Sequence, residues 1–143
     1  MPQYVLPIPK SLTLEILKPK GKFAHENFIE SRYAIDFKVP IGTPVMAAKE
    51  GEILIIKADS KKYGIDAKAE DANFVCIDHG DGTFAEYIHL GYQKIFVKVK
   101  QHVKQGDVLG LTGYSGVMDV PHLHFNLFKI VDKKAVSIPV DFK

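Results

Sequence analysis

The run His122-Leu123-His124 sets two imidazoles two residues apart. On a β-strand, positions i and i+2 face the same way. His122, His124 and Asn126 therefore share one face, and Leu123, Phe125 and Leu127 share the other, which reads as an ordinary core face. Imidazoles are costly to bury without partners, so the first face must meet water, another histidine or a metal ion. His89 closes a second apolar run, and Asp36 stands between Ile35 and Phe37 in the run Tyr33 to Val39. If its side of the strand is buried, that carboxylate demands a counter-charge or a metal. If it shares a polar face with Ala34 and Lys38, it is simply solvated. Two same-face histidines, a further histidine and a mid-strand aspartate are the donor types of metal-assisted hydrolysis and of proton transfer near neutral pH. His79, before Gly80-Asp81-Gly82, reads as a turn residue, and His102 as an exposed one.

The elements that would carry these side chains are strands. Apolar runs of Val, Ile, Phe and Tyr cover Tyr33–Val39, Gly51–Lys57, Asn73–Asp78, Thr83–Leu90, Lys94–Val99, Val108–Thr112 and His122–Ile130. Such residues suit a pleated, half-buried surface. In Lys94–Val99, Ile95, Val97 and Val99 alternate with Lys94, Phe96 and Lys98. Asp81-Gly82 is a hairpin signal, because both residue types tolerate positive φ. Glycines recur at 110, 113 and 116 with no Gly-Lys-Ser/Thr after them, which argues against a phosphate loop and for a bent strand whose backbone approaches something closely. Residues 58–72 are polar and charged and read as a solvated loop. The expected fold is all-β, a single antiparallel sandwich or open barrel. Residues 1–22 form an arm packed on a domain spanning 23–143.

Composition narrows the function classes. The chain has 143 residues, 46% hydrophobic and 25% charged, which fits one globular domain. Nineteen basic against 17 acidic residues leave a net charge of +2, without the basic excess that marks a nucleic-acid binder. The single cysteine, Cys76, excludes an intramolecular disulfide and a cysteine-rich zinc module, and its apolar neighbours make it a buried small side chain. No apolar stretch approaches the ~18 to 20 residues of a membrane span. The first ten residues carry three prolines and no apolar core, unlike a signal peptide.

Taken together, the motifs resemble the lysostaphin-type (M23) zinc metallopeptidases, cell-wall endopeptidases with a small β-sheet fold. The likeness runs from about Phe23 to Phe128. It rests on Tyr33-Ala-Ile-Asp-Phe, Pro40-Ile-Gly-Thr-Pro-Val-Met-Ala-Ala and Gly51-Glu-Ile. It continues through Asp81-Gly-Thr-Phe-Ala-Glu-Tyr-Ile-His-Leu, Val103-Lys-Gln-Gly-Asp, Gly110-Leu-Thr-Gly-Tyr-Ser-Gly and Pro121-His-Leu-His-Phe. The resemblance implies Asp36 and His124 as metal ligands, and His122 and His89 as the histidines acting on the water or the transition state. It implies one zinc ion per chain, a metal-activated water attacking a peptide bond of the peptidoglycan cross-links, and a setting outside the cytoplasm. The expected partner is a peptidoglycan peptide, with no nucleic acid and no membrane span, and the chain is expected to act as a monomer. Tyr87, Tyr114, Ser115 and Asn126 are candidate groove residues, and Asn126 alternatively supports a ligand imidazole.

One position departs from the family pattern. The usual first ligand lies four residues before the aspartate, and here that residue is Arg32. A guanidinium stays protonated and offers no lone pair. Facing a site of net charge about +1 from ~6 Å, at an effective dielectric of ~20, it would cost ~3 kcal/mol. His25, eleven residues upstream of Asp36, is the favoured replacement, with Arg32 turned outward. Alternatively, Glu26, Glu30, Ser31 or a water fills the position. The rival reading is a degenerate, metal-free domain of the same fold that binds cell wall or regulates an amidase. In that case Arg32 occupies the metal's place and pairs with Asp36.

Overall fold

Ten strands form among the described residues: β1 (Ile16–Leu17), β2 (Ile35–Lys38), β3 (Pro44–Met46), β4 (Gly51–Lys57), β5 (Asn73–Asp78), β6 (Thr83–Ile95), β7 (His102–Val103), β8 (Val108–Thr112), β9 (His122–Val131) and β10 (Lys134–Ser137). The computed structural model describes residues 3–12, 14–17, 25, 28–64, 66–118 and 120–143. The boundary drawn between residues 22 and 23 lies outside them. All pairings between these strands are antiparallel, and the main path of the sheet runs β1-β2-β9-β6-β5-β4-β7, with β10 against β9 and with β8 joining β3 to β6. Among the described residues the complete helical element is the short 3-10 turn Ala69–Asp71, and no described helix is long and apolar enough to cross a membrane. The fold is thus all-β, as the apolar runs predict.

Period-2 alternation builds the core. Leu123, Phe125 and Leu127 of β9 are buried, as are Phe37 of β2, Val75 and Ile77 of β5, and Ala85 and Tyr87 of β6. The strand expected over Lys94–Val99 does not form as a separate element. β6 continues to Ile95, Phe96 still donates to the Leu109 carbonyl, and a turn follows in which Gln101 N donates to Lys98 O. Lys100 then takes a positive φ of 77°. The alternation breaks there: Val97 is 8% exposed and Val99 is 51% exposed. The short strands β1, β3, β7 and β10 carry too few residues for any period to show in the sequence.

Described residues preceding β1 lie on this core. Val5 N donates to Ala48 O, Met46 N donates to Pro7 O, and Ile8 is buried. Tyr4 pairs with Phe142 in an isolated bridge, bringing described residues near both ends of the chain together. The glycine-rich stretch is a place of close backbone approach. A Cβ at Gly113 would collide with Gly91 Cα, and one at Gly110 with the Lys94 carbonyl.

β6 is the pivot of the sheet. Its first half, Thr83 to Ile88, pairs with β9, and its second half pairs with β8 through Leu90 and Ile95. Against β5, Phe74 pairs with Ile88 and Asn73 with Leu90, which leaves His89 as an extra, unpaired residue. This is a β-bulge, a device that bends a strand and re-aims a side chain. His89 sits in the left-handed region at φ 76°.

Candidate functional site

The register of β2 on β9 sets Asp36 directly opposite His124. Side chains of directly opposed residues lie on one face and within reach of each other. His124 Nδ1 lies 2.9 Å from Asp36 Oδ1. His122, two residues earlier on the same face, brings Nε2 to 3.8 Å from Asp36 Oδ2. Asp36 is 3% exposed, so the solvated alternative does not hold. Burial alone would raise its pKa. The close contacts of His124 and His25, with the fields of His124 and His122, outweigh that and hold the carboxyl well below its usual range.

His25 completes the cluster from outside the sheet. Its Nε2 lies 3.0 Å from Asp36 Oδ2, and its ring stands edge-on to His124 with centroids 4.9 Å apart. That buried nitrogen lies against the carboxylate without forming a well-aligned hydrogen bond. His25, Asp36 and His124 each offer a ligand atom, and the three atoms lie within 4.8 Å of one another. They are the only such group among the described residues. Arg32 is exposed, and the close nitrogen partners of Asp36 among the described residues belong to His25, His122 and His124. Glu30 is exposed and does not join the group, and Glu26 lies outside the described residues.

His89 and His122 face each other beside the cluster, with ring centroids 4.6 Å apart. Each ring is oriented by a backbone carbonyl. His89 Nδ1 is 2.6 Å from Ser115 O, and His122 Nδ1 is 2.9 Å from Val120 O. A carbonyl oxygen only accepts, so Nδ1 of each ring carries a proton, and in the neutral form of either ring the lone pair is at Nε2. Burial, together with the neighbouring His122 and His124, pushes the His89 pKa down to about 3. At neutral pH it is an uncharged acceptor.

The four candidate groove residues separate. Tyr87 does not line a groove: it is 0% exposed in the core, edge-on to Phe125, and its hydroxyl accepts a hydrogen bond from Ala48 N. Strict alternation would put it on the face of His89, but the bulge at His89 reverses the side. Ser115 is also buried, so its side chain cannot rim a groove. Its Oγ donates to Leu90 O and accepts from Asn73 N, and it serves the site through its carbonyl. Asn126 is on the histidine face as expected, but it is buried. Its bonds go to Glu30 O, Glu86 Oε1 and Ser137 Oγ and reach no ligand imidazole. Tyr114 alone is half-buried at the surface, its ring 4.7 Å from that of Tyr63 in the facing loop.

Two supporting residues were not singled out from the sequence. Asn73 accepts from Ser60 N and donates to Ser60 O and Leu90 O, tying the 58–64 loop to the bulge. Its signal was a polar side chain on the face of Val75 and Ile77. Ser137, in the unforeseen β10, carried no such signal.

Outside the cluster, His79 is lowered to about 4 by burial and by Lys49. An unfolded chain takes up a proton at each histidine as pH falls through 6.5, whereas the folded chain resists until about 4 at His79 and about 3 at His89. The unfolded state therefore binds more protons in this window, and stability falls with falling pH. That contribution is intact above pH 6.5 and is lost progressively below it. The urea midpoint of metal-free protein is expected to be lower at pH 5 than at pH 7.5, with a smaller drop in His79→Gln. Equal drops in the two proteins would contradict the role of His79.

Comparison with known structures places the fold first. The fold superposes on the crystal structure of a zinc containing peptidase from Vibrio cholerae with a TM-score of 0.66 and 26% identity, covering 99% of this chain and 41% of that one. The chain belongs to peptidase family M23, whose model matches residues 30–138. Among its relatives are the peptidoglycan DD-endopeptidase ShyA of Vibrio cholerae, 37% identical over 108 residues, and lysostaphin of Staphylococcus simulans, 37% identical over 94. These alignments cover 73% and 65% of this chain but only 23% and 17% of the relatives, so the chain spans less than a third of their length.

Proposed function

We propose that this chain is a zinc-dependent endopeptidase domain that hydrolyses peptide bonds in the cross-links of bacterial cell-wall peptidoglycan. The observation that carries the reading is the convergence of His25, Asp36 and His124, whose ligand atoms lie within 4.8 Å of one another. Two nitrogens and one oxygen are a donor set that suits zinc, and three protein ligands leave a coordination position open, as in catalytic sites. Bound there, zinc supplies Lewis-acid polarisation of a carbonyl and lowers the pKa of a water molecule to ~7. Membership in family M23 and the names of the relatives support the substrate class and a setting outside the cytoplasm.

The chain's own part in the reaction falls to His89 and His122. Their Nε2 atoms accept a proton, or a hydrogen bond, from the attacking water, and either ring can return a proton to the departing amine. The Ser115 and Val120 carbonyls hold both rings in the tautomer that leaves Nε2 free. Tyr114 and Tyr63 border the approach along the glycine-rich loop, which is joined to the 58–64 loop by Gly116 N donating to Lys62 O and Gly64 N to Gly116 O.

The test is digestion of purified peptidoglycan. Zinc-loaded protein is expected to release soluble fragments with new peptide termini by mass spectrometry. A chelator should stop the release, and added zinc should restore it. Tight binding to the polymer without cleavage under zinc-replete conditions would instead support the binding-module reading.

A further inference from the structure

A metal ligand supplied from outside the sheet poses a mechanical problem. A strand residue is held by its ladder, but His25 must be held by the chain that follows it. In the described residues that chain makes turn bonds: Phe28 N donates to His25 O at 3.1 Å, Ser31 N to Phe28 O at 3.2 Å, and Ala34 N to Ser31 O at 2.9 Å. Turns of this kind are soft unless something fixes them.

Two buried side chains do so. Asn126 Nδ2 donates to Glu30 O at 2.7 Å. Ser137 N donates to Ile29 O at 2.9 Å, and Ser137 Oγ accepts from Tyr33 N at 2.9 Å. The two side chains are joined, because Ser137 Oγ donates to Asn126 Oδ1 at 2.8 Å, and the second Asn126 N–H goes to Glu86 Oε1 at 3.0 Å. Asn126 is 1% exposed and Ser137 4% exposed, so these bonds face little competition from water. Residues 29, 30 and 33 are thereby pinned between His25 and Asp36. Asn126 follows His124 by two residues on one face, so β9 both presents one ligand and anchors the loop that presents another.

We propose that Asn126 and Ser137 are positioning residues for the metal centre, acting through the 28–33 turn to hold His25 against Asp36 and His124. The inference rests on the ligand assignment made above. Outer partners of metal ligands typically contribute 10- to 100-fold in affinity.

The test is a double-mutant cycle on zinc affinity, read by competition with a chelating indicator at pH 7.5 and so independent of activity. Ser137→Ala is expected to bind zinc about tenfold more weakly than wild type. In a His25→Ala background the same change should have less than about a twofold effect, since the ligand it serves is gone. Asn126→Ala should behave alike. Ser137→Ala removes only a hydroxyl and keeps the measurement open if Asn126→Ala fails to fold. An unchanged affinity in Ser137→Ala, or an equal loss in both backgrounds, overturns the clamp while leaving His25 as ligand. No zinc binding by wild type, or wild-type affinity in His25→Ala, overturns the ligand assignment and this inference together.

Discussion

Alanine at His25 is expected to take the protein from about one bound zinc ion per chain to almost none after gel filtration, and alanine at His124 or Asp36 to do the same. Each supplies one of only three protein donors, so the loss in affinity should exceed the ~100-fold upper range for outer partners. Arg32→Ala is the informative control. Had the guanidinium faced the site, its removal would relieve ~3 kcal/mol of repulsion and tighten zinc binding by ~100-fold. Arg32 is exposed and Asp36 contacts histidines instead, so the zinc affinity of the Arg32→Ala variant should stay within about threefold of wild type. Metal analysis by mass spectrometry decides both points. Stoichiometric zinc in His25→Ala would remove His25 from the ligand set, and zinc-free wild type after zinc loading would favour a degenerate site.

How much of this could be read from residues alone depended on how local the cause was. The β9 pattern was fully legible, because alternation separates Leu123, Phe125 and Leu127 from His122, His124 and Asn126 without knowledge of any partner. Asp36 was legible as an anomaly in an apolar strand. Its burial was not, since that depends on the antiparallel register that sets it opposite His124. Tyr87 was misassigned for the opposite reason. The period-2 rule assumes an unbroken strand, and one extra residue at His89 reverses the face. Ser115 and Asn126 were recognised as polar residues near the site, but their partners lie 25 and 96 residues away in sequence for Leu90 and Glu30, so their supporting role became visible only once the chain was folded. Ser137 is the extreme case, a serine in a four-residue strand whose importance rests on contacts to two other segments.

His89→Ala is expected to lower kcat by ~10²- to 10⁴-fold, the range of a general acid–base group, while zinc stoichiometry and KM change little. The reason lies in its environment. Burial and the adjacent histidines depress its pKa to about 3, and a bound cation would disfavour the charged ring further. A base so weak holds a proton poorly in the ground state. Negative charge developing on the substrate reverses the sign of the local field, so His89 gains proton affinity as the transition state forms, and its effect should appear in kcat rather than in substrate binding. Alanine at φ 76° also brings backbone strain that could mimic a catalytic defect. His89→Asn separates the two, because asparagine tolerates the left-handed region but cannot accept and hold a proton. Equal losses of kcat in the alanine and asparagine variants, both with zinc retained, assign the effect to the imidazole. Recovery to within about tenfold of wild type in the asparagine variant would show that the bulge needs only a residue able to bear its backbone conformation, and His122 would be left as the sole proton carrier.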